Sequence, residues 1–167
     1  MKKEGEIVYI TNTALATQKI GRELGKMIIK KRRIGPVIIG LDGDLGSGKT
    51  TFLQGFALGL GIKEKILSPT FVILKRFEIK KKNSNYRNFY HIDCYRLNGA
   101  DDLKDLNFKD ISMDKHSIVA IEWVEKIRKA VPTQNISIGF KFLDKNKREI
   151  ILSGTSLNDI IKNNGER

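Results

Sequence analysis

Gly43-Asp44-Leu45-Gly46-Ser47-Gly48-Lys49-Thr50 matches G-x-x-x-x-G-K-[ST] at every fixed position. Average residue usage produces such a match by chance in roughly one chain of this length in a hundred or fewer. The chemistry on offer is anion binding. In a glycine-rich turn that opens a helix, successive backbone N–H groups and the helix N-terminus converge on one phosphate. Gly46 and Gly48 have no Cβ to block the approach. Lys49 can reach the β- and γ-phosphates and the Thr50 hydroxyl can take one magnesium position, so the expected ligand is a nucleotide, ATP, with Mg2+.

A magnesium site needs a second anchor, usually an acid at the end of a neighbouring buried strand. Glu122, after Ile118-Val119-Ala120-Ile121, has that placement, which an ordinary strand-end carboxylate shares. Asp93 ends another apolar run and has the placement to orient an attacking water or hold a metal-bound one; Thr70 lies in the turn after the first P-loop helix, where a γ-phosphate would be sensed. Turns and strand ends favour these residue types in any case. Trp123 either stacks on a base or partner or belongs to the core, the commoner fate of a tryptophan beside a buried strand. His91 shares a strand face with Asp93 and reads as a structural histidine, and Cys94 as a buried thiol.

The motif works only between a buried strand and a helix. Val37-Ile38-Ile39-Gly40-Leu41 is a continuous apolar run of the kind a strand covered on both faces requires, and Phe52, Phe56, Leu58 and Leu60 continue as a helix that stops at Gly61. Upstream, Ile20, Leu24, Met27 and Ile28 recur at helical spacing, predicting an amphipathic helix over 14–32 with Thr11, Asn12 or Thr13 as cap. Downstream, Phe71 to Ile79 and Phe89 to Asp93 read as an antiparallel pair, Asp101 and Asp102 as caps of a short helix through Leu106, and Ser117 to Ile121 as a second buried strand. Ile136 to Leu143 and Glu149 to Leu152 form a late hairpin around Asp144-Lys145-Asn146-Lys147, and Ser156 to Lys162 a closing helix. The fold expected is α/β: a P-loop NTPase three-layer sandwich over 1–167 as one domain, with a largely parallel central sheet, helices on both faces and added antiparallel strands. Ligand belongs at the carboxyl ends of the strands.

No apolar run approaches the roughly 18 residues of a membrane span, and Glu4 and Glu6 interrupt any secretory signal after Lys2 and Lys3. One cysteine forms no intrachain disulfide, so the cytoplasm is the default compartment. A net charge of +12 attracts nucleic acid, anionic lipid or acidic partners without choosing among them. The basic residues are dispersed with few aromatics between them, which favours a solvated lysine-rich surface over an RNA-binding face.

Taken together, Gly43 to Phe52, Ser68-Pro69-Thr70-Phe71, His91-Ile92-Asp93-Cys94-Tyr95-Arg96-Leu97 and Ile121-Glu122-Trp123 resemble the bacterial TsaE (formerly YjeE) family, in order and at family-like spacing over about residues 10 to 130. The resemblance implies the small ATPase of tRNA threonylcarbamoyladenosine (t6A) biosynthesis. It would join the TsaD and TsaB homologues that modify adenosine 37 of tRNAs reading codons beginning with A, and meet tRNA through that complex. By the same resemblance Leu45, Gly46, Ser47, Gly48, Lys49, Thr50 and Thr51 bind ATP, Thr50 and Glu122 hold magnesium, Thr70 and Asp93 are the switch and catalytic positions, and Thr11 to Thr17 lie near the adenine. Val124 departs from the pattern, standing where many members have proline. Two alternatives remain at this stage: a small-molecule P-loop kinase, for which no arginine-bearing lid can be placed, and an ATP-dependent switch presenting a basic docking surface. Arg96 is the candidate for an arginine finger within the chain.

Overall fold

The computed structural model describes residues 5–31, 35–68 and 73–162. Among them are seven strands: Ile7–Thr11 (β1), Val37–Asp42 (β2), Leu74–Glu78 (β3), Asn88–Asp93 (β4), Ser117–Glu122 (β5), Ile136–Phe142 (β6) and Arg148–Ser153 (β7). The α-helices are Ala14–Lys30 (α1), Lys49–Leu60 (α2), Phe108–Met113 (α3) and Thr155–Lys162 (α4), with 3-10 segments at Ala100–Leu106 and Val124–Ala130.

All seven strands form one sheet in the order β1-β7-β6-β2-β5-β4-β3. Its centre is parallel, β2 pairing with β6 and β5, and β5 with β4. The edges are antiparallel: β6 to β7, β7 to β1, and β4 to β3. The apolar runs explain this division. Every residue of β5, and β2 from Val37 to Leu41, is buried, as strands covered on both faces must be. Helices α1, α2 and α4 cover one face, packing Leu24, Phe52, Phe56 and Leu157 onto Ile39, Phe89 and Ile138. The other layer is thinner: the two 3-10 segments and α3 set Leu103, Phe108 and Ile127 over Ile38, Ile92 and Val119. No described helix is long and apolar enough to cross a membrane.

Helix α1 starts where Thr13 Oγ1 accepts from the Ala16 N–H at 3.1 Å, so of the three candidate caps Thr13 is the one used. Helices α1 and α2 meet backbone to backbone through glycines spaced i, i+4 on each. A Cβ on Gly21 would lie 2.2 Å from the Phe52 carbonyl oxygen, and one on Gly55 1.9 Å from that of Gln18. The P-loop helix is thus clamped to α1 at a distance only glycine allows.

Three features escaped the sequence reading. β1 is short, lies at the edge and finds its partner at the far end of the chain, Ile7 opposite Leu152 and Thr11 opposite Arg148. The short helix α3 and the 3-10 segment after Trp123 also carried no periodic signal. Asp101 and Asp102 lie in the first turn of a 3-10 segment whose cap is Gly99; Asp102 instead accepts from the Asn98 N–H at 2.8 Å, closing the loop before it. The strand expected from Phe71 begins at Leu74, residues 71 and 72 lying outside the described ones.

Candidate nucleotide site

Strand β2 ends at Asp42 and delivers the chain into the loop. Gly43, Gly46 and Gly48 all have positive φ, at 139°, 75° and 107°, and a Cβ on Gly43 would sit 2.5 Å from the Phe140 carbonyl oxygen. The glycines are therefore required by backbone conformation and by the approach of β6. Helix α2 starts at Lys49, with Gly48 as its left-handed cap, so its first free N–H groups face the loop. Above it opens a cavity of about 310 Å³, lined by Leu45 through Thr51 on one side and by Ser68, Asp93, Tyr95, Glu122 and Trp123 on the other.

The parallel register brings the acids to the loop. Asp93 and Glu122 are Cα partners at the carboxyl ends of β4 and β5, and Leu41 of β2 pairs with Glu122. Thr50 Oγ1 lies 2.9 and 3.1 Å from the two Glu122 oxygens. The Glu122 carboxylate is buried and its Oε1 also lies 2.8 Å from Nε2 of the buried His91. Asp93 accepts from the Tyr95 N–H at 2.9 Å through Oδ1 and from the Ser68 hydroxyl through Oδ2. Hydroxyl and carboxylate oxygens are the donors a hard divalent cation takes, and the buried Ser47 hydroxyl in the loop has no partner among the described residues. Among the described residues no three His, Cys, Asp or Glu side chains gather. The site therefore fits an ion held by one or two protein oxygens and completed by phosphate and water, the usual manner of Mg2+.

Lys49 is buried and donates through Nζ to the carbonyls of Gly43 at 2.5 Å and Asp44 at 2.9 Å. Burial lowers its pKa from the ordinary lysine value, opposed chiefly by Glu122 and then by Glu125, Asp93 and Asp42. Its ammonium also sits 4.0 Å from the centre of the Trp123 ring. Trp123 is half-buried, packed against the core layer of Ile92, Val119 and Ile121 on one side and bordering the cavity on the other. Its positive φ of 59° turns the chain out of β5 and aims the indole back over Lys49, and Tyr95 packs on it at 5.2 Å between ring centres.

On the other side of the loop lies a second cavity of about 260 Å³, between Asn12, Thr13 and Thr17 at the start of α1 and Asn146 and Arg148 of the β6–β7 hairpin, reaching Gly46, Gly48 and Thr51. The segment Thr11 to Thr17 thus borders the loop. The hairpin residues had not been singled out; nothing in a lysine-rich turn marks them, since only sheet pairing brings them to the loop. Ser68 and Tyr95 stand within the motifs quoted above without a role of their own there, and the contact of His91 with Glu122 follows only from the pairing of β4 with β5. Thr70 lies outside the described residues. Arg96 is exposed on the chain beyond β4. Cys94 is buried, its thiol pKa pushed up to about 12 by burial and the neighbouring Asp93, which leaves it unreactive.

A family model described as threonylcarbamoyl adenosine biosynthesis protein TsaE matches residues 11–150. A protein of that name from Treponema pallidum is 31% identical over 144 residues, 86% of this chain and 98% of that protein. Another from Borreliella burgdorferi is 40% identical over 111 residues, 66% of this chain and 76% of its own. The crystal structure of Bacillus subtilis YdiB superposes with a TM-score of 0.68 at 24% identity, covering 98% of this chain and 96% of that one, a likeness of fold. With the motifs in one cavity and the family model spanning most of the sequence, the chain belongs to the TsaE family of tRNA threonylcarbamoyladenosine biosynthesis proteins.

Proposed function

We propose that this protein is the ATPase subunit required for threonylcarbamoylation of adenosine 37 in tRNAs reading ANN codons, working in the cytoplasm with the TsaD and TsaB homologues. The observation that carries the reading is the Thr50–Glu122 pair beside the phosphate loop, at 2.9 and 3.1 Å: two oxygen donors from distant parts of the chain meet where a nucleotide-bound cation would lie.

Residues Leu45 to Thr51 bind the ATP phosphates through backbone N–H groups, with Lys49 on the β- and γ-phosphates. Thr50 and Glu122 are the residues that would hold Mg2+, which when bound offsets the charge developing on the phosphates. Both acids are engaged within the chain, Glu122 by Thr50 and His91 and Asp93 by the Tyr95 N–H and the Ser68 hydroxyl, and Asp93 faces the same cavity from the adjacent strand end. We assign Asp93 to placing the attacking water, with Thr70 on the γ-phosphate. The nucleoside enters the second cavity, where Arg148 and Asn146 face it. Tight engagement of both acids within the chain, with no arginine aimed into the cavity among the described lining residues, suits slow turnover alone and faster turnover when the partner complex completes the site.

The test is phosphate release by the protein alone and then with the transferase complex and tRNA, scored together with modified adenosine over several turnovers. Complex-dependent hydrolysis coupled to repeated modification supports the reading; nucleotide binding without such stimulation overturns it.

A further inference from the structure

We infer that His91 is a positioning residue for the cation anchor, holding the Glu122 carboxylate in the rotamer that faces Thr50. The inference rests on the reading of Thr50 and Glu122 as the Mg2+ residues and deepens it. His91 is fully buried on β4, on the same face as Asp93 and one pleat further from the cavity. Its Cα partner on β5 is Ala120, whose single methyl leaves the imidazole room to lean toward Glu122. Nε2 reaches Glu122 Oε1 at 2.8 Å. A carboxylate only accepts, so the ring carries its hydrogen on Nε2.

Nδ1 is buried and has no hydrogen-bond partner among the described residues, so the bond through Nε2 to Glu122 is the polar contact the ring makes there. A residue selected for packing alone at this position would be apolar, as Phe89 is two residues earlier on the same face. A buried donor aimed at one carboxylate oxygen does what outer partners of metal ligands do: it fixes the ligand's orientation before the ion arrives. Without that bond Glu122 is free to turn away from Thr50, and the two donors are no longer set for one ion.

The test measures binding, not turnover. Affinity for a non-hydrolysable ATP analogue is titrated calorimetrically in EDTA and in Mg2+, for the wild type and for His91→Leu, His91→Gln and His91→Asn. Glutamine carries an N–H donor close to the place of Nε2; asparagine has the same amide but stops short of Glu122. The expected result is a Mg2+ gain in wild type and His91→Gln, and a gain smaller by about tenfold or more in His91→Leu and His91→Asn, with EDTA affinities alike. If His91→Leu does not fold, the Gln and Asn pair decides alone. An undiminished Mg2+ gain in His91→Asn overturns the inference and leaves the Mg2+ reading intact. A wild type indifferent to Mg2+ overturns both.

Discussion

Thr50 Oγ1 donates to both oxygens of Glu122, at 2.9 and 3.1 Å, from a position 72 residues earlier in the chain. The contact exists because β2 and β5 are parallel neighbours whose carboxyl ends coincide, Leu41 opposite Glu122. One side chain is then supplied by the helix after β2 and the other by the strand beside it. Glu122→Gln keeps the shape and removes the charge. Hydrolysis in Mg2+ with the partner complex present is expected to fall about 100-fold or more, while nucleotide affinity in EDTA is unchanged. Wild-type turnover in this variant would remove Glu122 from the site.

Among the described residues lining the larger cavity, Lys49 offers the only ammonium. Charge-assisted hydrogen bonds contribute about 1.5–3 kcal/mol, so Lys49→Ala should weaken nucleotide binding about 10- to 100-fold. Equilibrium titration with a fluorescent ATP analogue reads this directly. An affinity equal to wild type would mean that the phosphates bind elsewhere.

Arg148 lines the second cavity beside Gly48. If the nucleoside lies there, Arg148→Ala lowers affinity for ATP several-fold, on the order of 1 kcal/mol, and leaves tripolyphosphate binding untouched. Equal losses for both ligands would place Arg148 on the phosphates instead.

Gly55→Ala separates helix propensity from packing. In an exposed helix the change stabilises by about 1 kcal/mol. Here the added methyl would lie 1.9 Å from the Gln18 carbonyl oxygen, and backbone cannot swing aside as a side chain does. Overpacking costs about 1–3 kcal/mol, so the net effect is a loss, seen as a Tm lower by about 2–4 °C for each kcal/mol. A raised Tm would show that the α1–α2 contact is looser than described.

Asp114 precedes β5 and accepts from the Ser117 hydroxyl at 2.5 Å and the His116 N–H at 3.0 Å. The Ser117 bond, foremost, holds its carboxyl below the usual carboxylate value. A depressed carboxylate pKa contributes stability above the unfolded-state value and loses it as pH falls through the folded one. Asp114→Ala should therefore cost about 1 kcal/mol at neutral pH, with the gap to wild type closing as the pH falls below the ordinary carboxylate range. Denaturant midpoints at a series of pH values check it. A gap independent of pH would mean that the charge is irrelevant.

The phosphate loop was legible because its chemistry is local: glycines, lysine and threonine act within one turn, and the apolar run before them has to be a buried strand. For the same reason β2, α1, α2, β5 and the late hairpin could be read from periodicity and continuous apolar runs. The sequence alone also placed Glu122 and Asp93 at strand ends, but left each with a plain alternative. Only the tertiary structure set those two acids side by side, because register between β4 and β5 depends on packing across the sheet and leaves no trace in either strand. For Trp123 the core and stacking readings both stayed open in the sequence, because a single left-handed residue after β5, invisible to periodicity, sets its indole partly against the core and partly over Lys49. The imidazole of His91 beneath Glu122 and the guanidinium of Arg148 beside the loop were decided at the same level: contacts between distant segments follow from which strands pair, and pairing is fixed by burial of the whole sheet.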